Sequence, residues 1–459
     1  MRLSVVLPLL VGGISGCVLV PSPSSEDLRE QELTHAPPPA EWTAAGAVSG
    51  SVEGDWLATF ADTRLEELVA EAMQYNNDLR VSAARAEQAA AYVRAAGGAL
   101  WPAVTALGRG GGQMSGDDSG LQGGLVSASW ELDLWGRVRY SKRSAEEQYA
   151  SAEADFAFAR QSLAALVAKS WFLATESALQ RQLLTEGVDA TAKLVDLSER
   201  RLNVGIGNEL DVISARVTLQ TYRDSLRQVQ LANEQSLRAL ELLIGRYPGA
   251  EIVVPNEFRE LGSVVPAGLP SELLERRPDV RAAEKRVAAA FSRVKEAQAA
   301  RLPKISITGG VSDITSELFV LQDRENPVWS LGGQILAPLF TGGSLKAQVE
   351  IRTAEQKQAV AQYVQTALKA FGDVENAMSS ELALRQRESI LTAAAVDAGR
   401  ALELAQTRYR IGLGDLRSVQ QQQVAYLSSK MNLLRVQSEQ RVQRVNLHLA
   451  LGGNFAAEA

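Results

Sequence analysis

Apolar positions along this chain follow two kinds of pattern, which alternate in a fixed order and then begin again. A helical pattern starts near Asp62, a residue suited to an N-cap, with Leu65, Leu68, Val69 and Ala72 on one face. It continues in alanine-rich form to Ala96 and stops at Gly97-Gly98 and Trp101-Pro102. A glycine-rich stretch follows to Leu134. Within it Val126, Ala128, Trp130, Leu132 and Leu134 alternate with Ser127, Ser129, Glu131 and Asp133, the period of two that marks a strand with one apolar face. From Arg137 to Asn203 a helical pattern of 67 residues runs without proline, roughly 100 Å of α-helix. One face can be followed through Tyr149, Ala152, Phe156, Ala159, Leu163, Val167, Ser170, Ala174 and Ala178. Its step of about 3.6 residues lets the helix lie beside its neighbours while staying nearly straight. After a Gly-x-Gly break at Gly205 and Gly207, residues 209–244 predict a shorter helix, stopped by Gly245 and Tyr247-Pro248-Gly249.

Residues 246–277 read as an irregular connector, and then the order repeats. Asp78, Arg85 and Pro102 recur 201 positions later as Asp279, Arg286 and Pro303, and Gly205 and Gly245 recur 207 positions later as Gly412 and Gly452. A repeat this long is a duplicated building unit, not a solenoid array. In the second copy Ile305, Ile307, Gly309 and Val311 alternate with Lys304, Ser306, Thr308 and Ser312. Further on, Trp329, Leu331, Gly333, Ile335, Ala337 and Leu339 alternate with Ser330, Gly332, Gln334 and Leu336. A long helix over 343–410 and a shorter one over 416–450 complete the second unit. The short helices 62–99 with 209–244, and 271–301 with 416–450, would stack end to end to match the long ones, giving a wall of constant height. The fold class is mainly α with a small β part.

Two readings of the strands fit this pattern. One is a sheet half-buried against helices in a soluble domain. The other is part of an outer-membrane barrel with Trp101, Trp130, Trp135, Trp329 and Phe340 as the interfacial girdle. Four strands cannot close a barrel alone, since about eight is the practical minimum, and open edges cannot face lipid. A membrane-spanning version must therefore oligomerise.

The amino terminus favours export. Met1-Arg2 and the short apolar run Val5–Gly13 form a signal peptide too short to span a bilayer, and Ile14-Ser15-Gly16-Cys17 resembles a lipobox with Cys17 as the acylated first residue. Val18, not Asp, follows Cys17, which points to the outer membrane. The Pro/Ser/Ala-rich residues after it read as a tether pinned by Trp42 and Trp56. The expected organisation is a signal peptide over 1–16, a tether over 17–61, a first repeat over 62–245, the connector over 246–277, a second repeat over 278–452 and a tail over 453–459. The chain has 459 residues, a net charge of −7 and two histidines, His35 and His448. Nucleic acid is excluded as a partner, and imidazole catalysis or a multi-His metal site has nothing to build on. With no Gly-x-Ser-x-Gly, phosphate loop or metal-ligand cluster, no catalytic residue, metal or cofactor is expected beyond a covalent lipid on Cys17.

Several motifs occur in order across nearly the whole mature chain. They are Trp56-x3-Phe60-x-Asp62, Asn77-Asp78-Leu79, Leu132-Asp133-Leu134-Trp135-Gly136-Arg137, Leu274-Glu275-Arg276-Arg277-Pro278-Asp279-Val280, Pro338-Leu339-Phe340-Thr341-Gly342-Gly343 and Arg408-Tyr409-Arg410-x-Gly412. In these the chain resembles the TolC/OprM-like outer-membrane efflux family, in its lipoprotein (NodT-like) branch. Trp135 stands where Phe is more usual, and Gly412-Leu413-Gly414-Asp415 replaces a Gly-Val-Asp-like run. The resemblance implies a homotrimer with one β-barrel and one α-helical barrel. Such a trimer is the passive exit duct of a tripartite system, working with a periplasmic adaptor and an inner-membrane transporter of RND, MFS or ABC type, and exporting drugs or toxic compounds. It would sit in the bacterial outer membrane, integral and lipid-anchored, with a large periplasmic part. In that arrangement Ile411, Leu413 and Asp415 form the periplasmic constriction, with Arg408, Arg410 and Arg417 pairing with carboxylates on neighbouring helices. Gly205, Gly207, Gly412 and Gly414 form the adaptor-contact tips. Glu131 and Asp133 line the lumen, either as a cation filter or simply as hydrated wall. The competing reading is a lipid-anchored periplasmic adaptor or coiled-coil scaffold, which would carry one hairpin on a β-rich domain.

Overall fold

The computed structural model describes residues 19–44, 54–109, 122–262, 265–315 and 328–453. Cys17 and the expected signal peptide lie outside them. In chain order the elements are α1 (Ser25–Glu32), α2 (Thr63–Tyr75), α3 (Asn77–Gly98), β1 (Ala103–Arg109), β2 (Gln122–Leu132), α4 (Arg137–Asn203) and α5 (Glu209–Leu243). They continue as α6 (Pro270–Arg276), α7 (Pro278–Ala299), β3 (Lys304–Thr315), β4 (Val328–Leu336), α8 (Ser344–Arg410) and α9 (Leu416–Ala450). Both long helices have 67 residues and both helices after the tips have 35, so the duplication is kept to the residue. Among the described residues no helix is long and apolar enough to cross a membrane.

The chain divides into two compact units, the first made of residues up to Pro37, Ala84–Asp155 and Asp279–Thr366. It holds an antiparallel sheet in the order β1-β2-β3-β4. The register pairs Ala106 with Val126, Val126 with Val311, and Val311 with Trp329. It therefore puts Val104, Val126, Trp130, Ile307, Leu331 and Ile335 on one face. The other carries Thr105, Ser127, Glu131, Lys304, Ser306, Thr308 and Gln334. The alternation expected of each strand is carried across the sheet over its central rows; towards the strand ends Leu107, Leu125, Val328 and Leu336 share the polar face and Asp313 the apolar one. The strands end at Leu132 and Leu336, so Asp133 and Leu134, and Ala337 to Leu339, fall outside the ladder. Asp133 is instead used by α4: its carboxylate accepts the backbone N–H groups of Val138 and Arg139 at 3.0 and 2.9 Å, capping the long helix. Gly136, with φ of +76°, makes the turn between them.

The second unit comprises Pro38–Ala83, Phe156–Pro278 and Ala367–Ala459. Its core packs Trp56, Phe60, Leu65 and Leu68 against Leu163, Val167, Trp171, Leu240 and Ile244. Ala164, Ala168 and Ala174 are fully buried, and their small side chains let the helices approach closely. Asp62 caps α2 as expected and also accepts the Trp171 indole N–H at 2.8 Å. Trp42 docks on the connector, its indole donating to the carbonyls of Ala267 and Gly268.

Two expectations need correction. The helix from Asp62 to Ala96 is broken at Asn76, whose extended backbone separates α2 from α3. Its side chain accepts the Leu79 N–H, capping α3, and donates to the Leu243 carbonyl at the end of α5. The second repeat breaks at the equivalent residue, Arg277, held extended by the proline that follows. Arg277 donates to the Ala450 carbonyl at the end of α9 and pairs with Asp373. The connector also holds the short helix α6, so residues 246–277 are not wholly irregular.

Candidate functional site at the hairpin tips

Each tip solves the same backbone problem twice. After α4, Gly205 takes φ of +76°, its N–H reaching the Leu202 carbonyl and the Ile206 N–H the Arg201 carbonyl, both at 3.0 Å. After α8, Gly412 takes φ of +80°, with matching bonds from Gly412 to Tyr409 and from Leu413 to Arg408. These are left-handed caps that satisfy the last carbonyls of each long helix. The second glycine of each pair does different work. A Cβ on Gly207 would lie 2.5 Å from the Leu202 nitrogen, and one on Gly414 3.1 Å from the Arg408 Cβ. Asn208 and Asp415 then cap α5 and α9, accepting from Leu210 and Ser418 at 2.9 and 2.7 Å. The Ser418 backbone N–H, followed by its hydroxyl, holds the Asp415 carboxyl below its ordinary range. Asp415 is thus engaged locally.

The apolar tip residues point outward: Val204, Ile206, Ile411 and Leu413 are all more than half exposed. Among the described residues, Arg408, Arg410 and Arg417 form no ion pair within their own chain; Arg410 donates only to the Thr407 hydroxyl, at 3.4 Å. The residue that joins the two tips was not singled out from sequence. Arg201 donates to the Tyr409 carbonyl at 2.7 Å, with its guanidinium 4.7 Å from the centre of the Tyr409 ring. Tyr409 is buried, and its hydroxyl meets Ser198 at 3.2 Å. Higher up, the buried Gln423 amide on α9 donates to the Gly187 carbonyl and the Thr191 hydroxyl on α4. Gln420 donates to Thr218 on α5. Beside this seam a groove of about 520 Å³ opens, with Glu186, Asp189, Lys193 and Arg410 on its walls. Only the coincidence that Arg201 and Arg408 occupy matching repeat positions hinted at this contact.

At the sheet, Trp101, Trp130, Trp135, Trp329 and Phe340 are all exposed. Trp130 and Trp135 are nevertheless oriented by their indole N–H groups, which donate to the carbonyls of Leu100 and Pro303. Glu131 and Asp133 are not bare carboxylates. Arg137 grips Glu131 through two bonds of 2.9 and 2.8 Å, and Arg139 pairs with Asp133 at 3.1 Å.

The family model described as outer membrane efflux protein matches residues 68–246 and 269–453, which takes in both repeats and both tips. The chain belongs to that family. It is 30% identical to the probable efflux pump outer membrane protein TtgC of Pseudomonas putida, over 96% of this chain and 93% of the relative. It is 27% identical to the cation efflux system protein CusC of Escherichia coli, over 98% of each. The open state of the Neisseria gonorrhoeae MtrE outer membrane channel matches with a TM-score of 0.80 at 27% identity, over 91% of this chain and 96% of that one. The protein is accordingly an outer-membrane efflux channel and not an enzyme. The adaptor reading falls, because the family match spans two hairpins, each with its own strand pair.

Proposed function

We propose that three copies close a twelve-stranded barrel continuous with a helical conduit, and that this trimer is the passive exit duct of a tripartite pump exporting small toxic molecules. The observation that carries the reading is the sheet: a largely apolar face backed by a largely polar one and, among the described residues, two unpaired edges, β1 and β4. An open edge is not tolerated in lipid, and head-to-tail pairing of β1 with the next copy's β4 removes it while generating a closed ring. The flanks beside those edges support this, since α3 buries only Leu79 and β4 is exposed along nearly its whole length. In the ring the largely apolar face meets lipid, the aromatic residues lie at the interfaces, and Glu131 faces the lumen with Arg137, while Asp133 just beyond the strand stays engaged by α4.

The tips form the periplasmic mouth. Ile411 and Leu413 make the constriction, Arg408, Arg410, Arg417 and Asp415 surround it, and Gly205, Gly207, Gly412 and Gly414 let an adaptor's helical ends approach the backbone. The inner-membrane partner is a transporter of RND, MFS or ABC type, and Cys17 carries the lipid anchor. The cargo reading leans on relatives named for toluene, antibiotic and cation efflux. The test combines Ala106→Cys on β1 with cysteines placed in turn at residues 329–333 on β4. A covalent trimer at one register, in cells that still expel an exported dye, is the expected result. Cross-linking that stops at dimers, or none at any register, would overturn the closure.

A further inference from the structure

The in-chain seam between the hairpins has a second half that a single chain cannot make. Arg201 and Arg408 are equivalent, as are Leu202 and Tyr409, each pair 207 positions apart. Arg201, in the first repeat, donates to the Tyr409 carbonyl in the second. That carbonyl accepts the Gly412 N–H as well, so it uses both lone pairs. The Leu202 carbonyl accepts only the Gly205 N–H among the described bonds. Arg408 is exposed and, among the described residues, has no carboxylate of its own chain within ion-pair distance. One donor and one acceptor of the same kind are therefore left over, on opposite repeats.

We infer that Arg408 of one copy donates to the carbonyl of Leu202 of the partner subunit, repeating across the copy boundary the contact that Arg201 makes with Tyr409 inside the chain. The inference rests on the ring closure above and adds its tip contact. The positions facing this second seam by the same equivalence support it. Gln420 becomes Ile213, and Thr218 becomes Ala425; both replacements are exposed in the single chain, Ile213 by 51%. The copy seam is also the weaker one. Leu202 offers no ring for a guanidinium to stack on, and Ala405 stands where Ser198 would reach a tyrosine hydroxyl. The mouth therefore parts between copies before it parts within one.

The test is planar-bilayer conductance of the full-length channel, with the oligomer checked on gels. Arg408→Ala should raise the open fraction about tenfold, the scale of one charge-assisted hydrogen bond. Leu202→Tyr should install the missing ring and lower it, and this effect should vanish in the Arg408→Ala background. Leu202→Phe, without the hydroxyl, serves as a second probe of the same stacking. A tyrosine effect that is absent, or unchanged without Arg408, overturns the contact. Failure of the unmodified chain to form any conducting oligomer counts instead against the ring closure.

Discussion

His448 is a buried imidazole held neutral by its surroundings, and those surroundings set how strongly stability depends on pH. It is 1% exposed, neither ring nitrogen has a hydrogen-bond partner among the described residues, and it stacks on Trp56 at 5.8 Å with Phe60 edge-on at 6.4 Å. Burial, and then the adjacent Arg444 guanidinium, push its pKa down to about 4 from 6.5. The sign follows from that direction. The unfolded chain takes up the proton near 6.5 and the folded one resists until about 4, so the stability is intact above 6.5 and is lost as pH falls through this window. At about 1.4 kcal/mol per pKa unit, the loss amounts to roughly 3 kcal/mol at pH 4 and below, and roughly 2 kcal/mol at pH 5. His448→Phe keeps a ring against Trp56 and removes the titration. Thermal unfolding of the detergent-solubilised channel, followed by near-ultraviolet circular dichroism from pH 7.5 to 4, should show the variant matching or exceeding the wild type at pH 7.5. The gap should widen in its favour below 6.5. Carboxylates that also titrate are common to both proteins and cancel. Parallel pH curves would refute the reasoning, since the acid sensitivity would then belong elsewhere.

Three further outcomes follow from the same geometry. Glu381→Ala strands the buried Arg444, which donates to Glu381 and to the Gly262 carbonyl, and should cost about 3–5 kcal/mol; Glu381→Leu with Arg444→Met should cost far less, as a thermal double-mutant cycle would show. Gly205→Ala should cost about 1 kcal/mol for its left-handed backbone, whereas Gly207→Ala, which drives a methyl into the Leu202 backbone, should cost more and impair dye export. Glu131→Gln removes the carboxylate held by Arg137 and should move the reversal potential in a salt gradient toward anions, where an unpaired Glu131 would merely have lost a cation preference.

Features carried by local pattern were legible in the chain. Arg137–Asn203 and Leu416–Ala450 are bounded where the glycine breaks place them, and Asp62 caps the helix it precedes. The break at Asn76 is hard to read from the chain because the polar run Asn76-Asn77-Asp78 falls on positions a surface helix also fills with polar residues, leaving the 3.6-residue period intact. What stops the helix there is a bond to Leu243, far away in sequence. The roles of Arg201, Arg444, Glu381 and His448 are hidden for a related reason: on a helix a buried polar group and a solvated one look alike until the opposing surface is known. The motif from Trp56 to Asp62 is visible in the chain, but its physical role lies in what it touches: His448, Phe172 and Trp171.

The pairing of β2 with β3 has a kinetic consequence. It joins the two repeats, so within each chain this junction forms at an effective concentration set by the tethering chain and is indifferent to dilution. Closure of β1 on β4 is a matter of molecularity and depends on how many copies share the periplasm. Assembly of the proposed ring is thus an alternation of first-order and higher-order steps. Scarcity of newly exported chains would leave four-stranded sheets waiting with complete internal seams and unpaired outer edges.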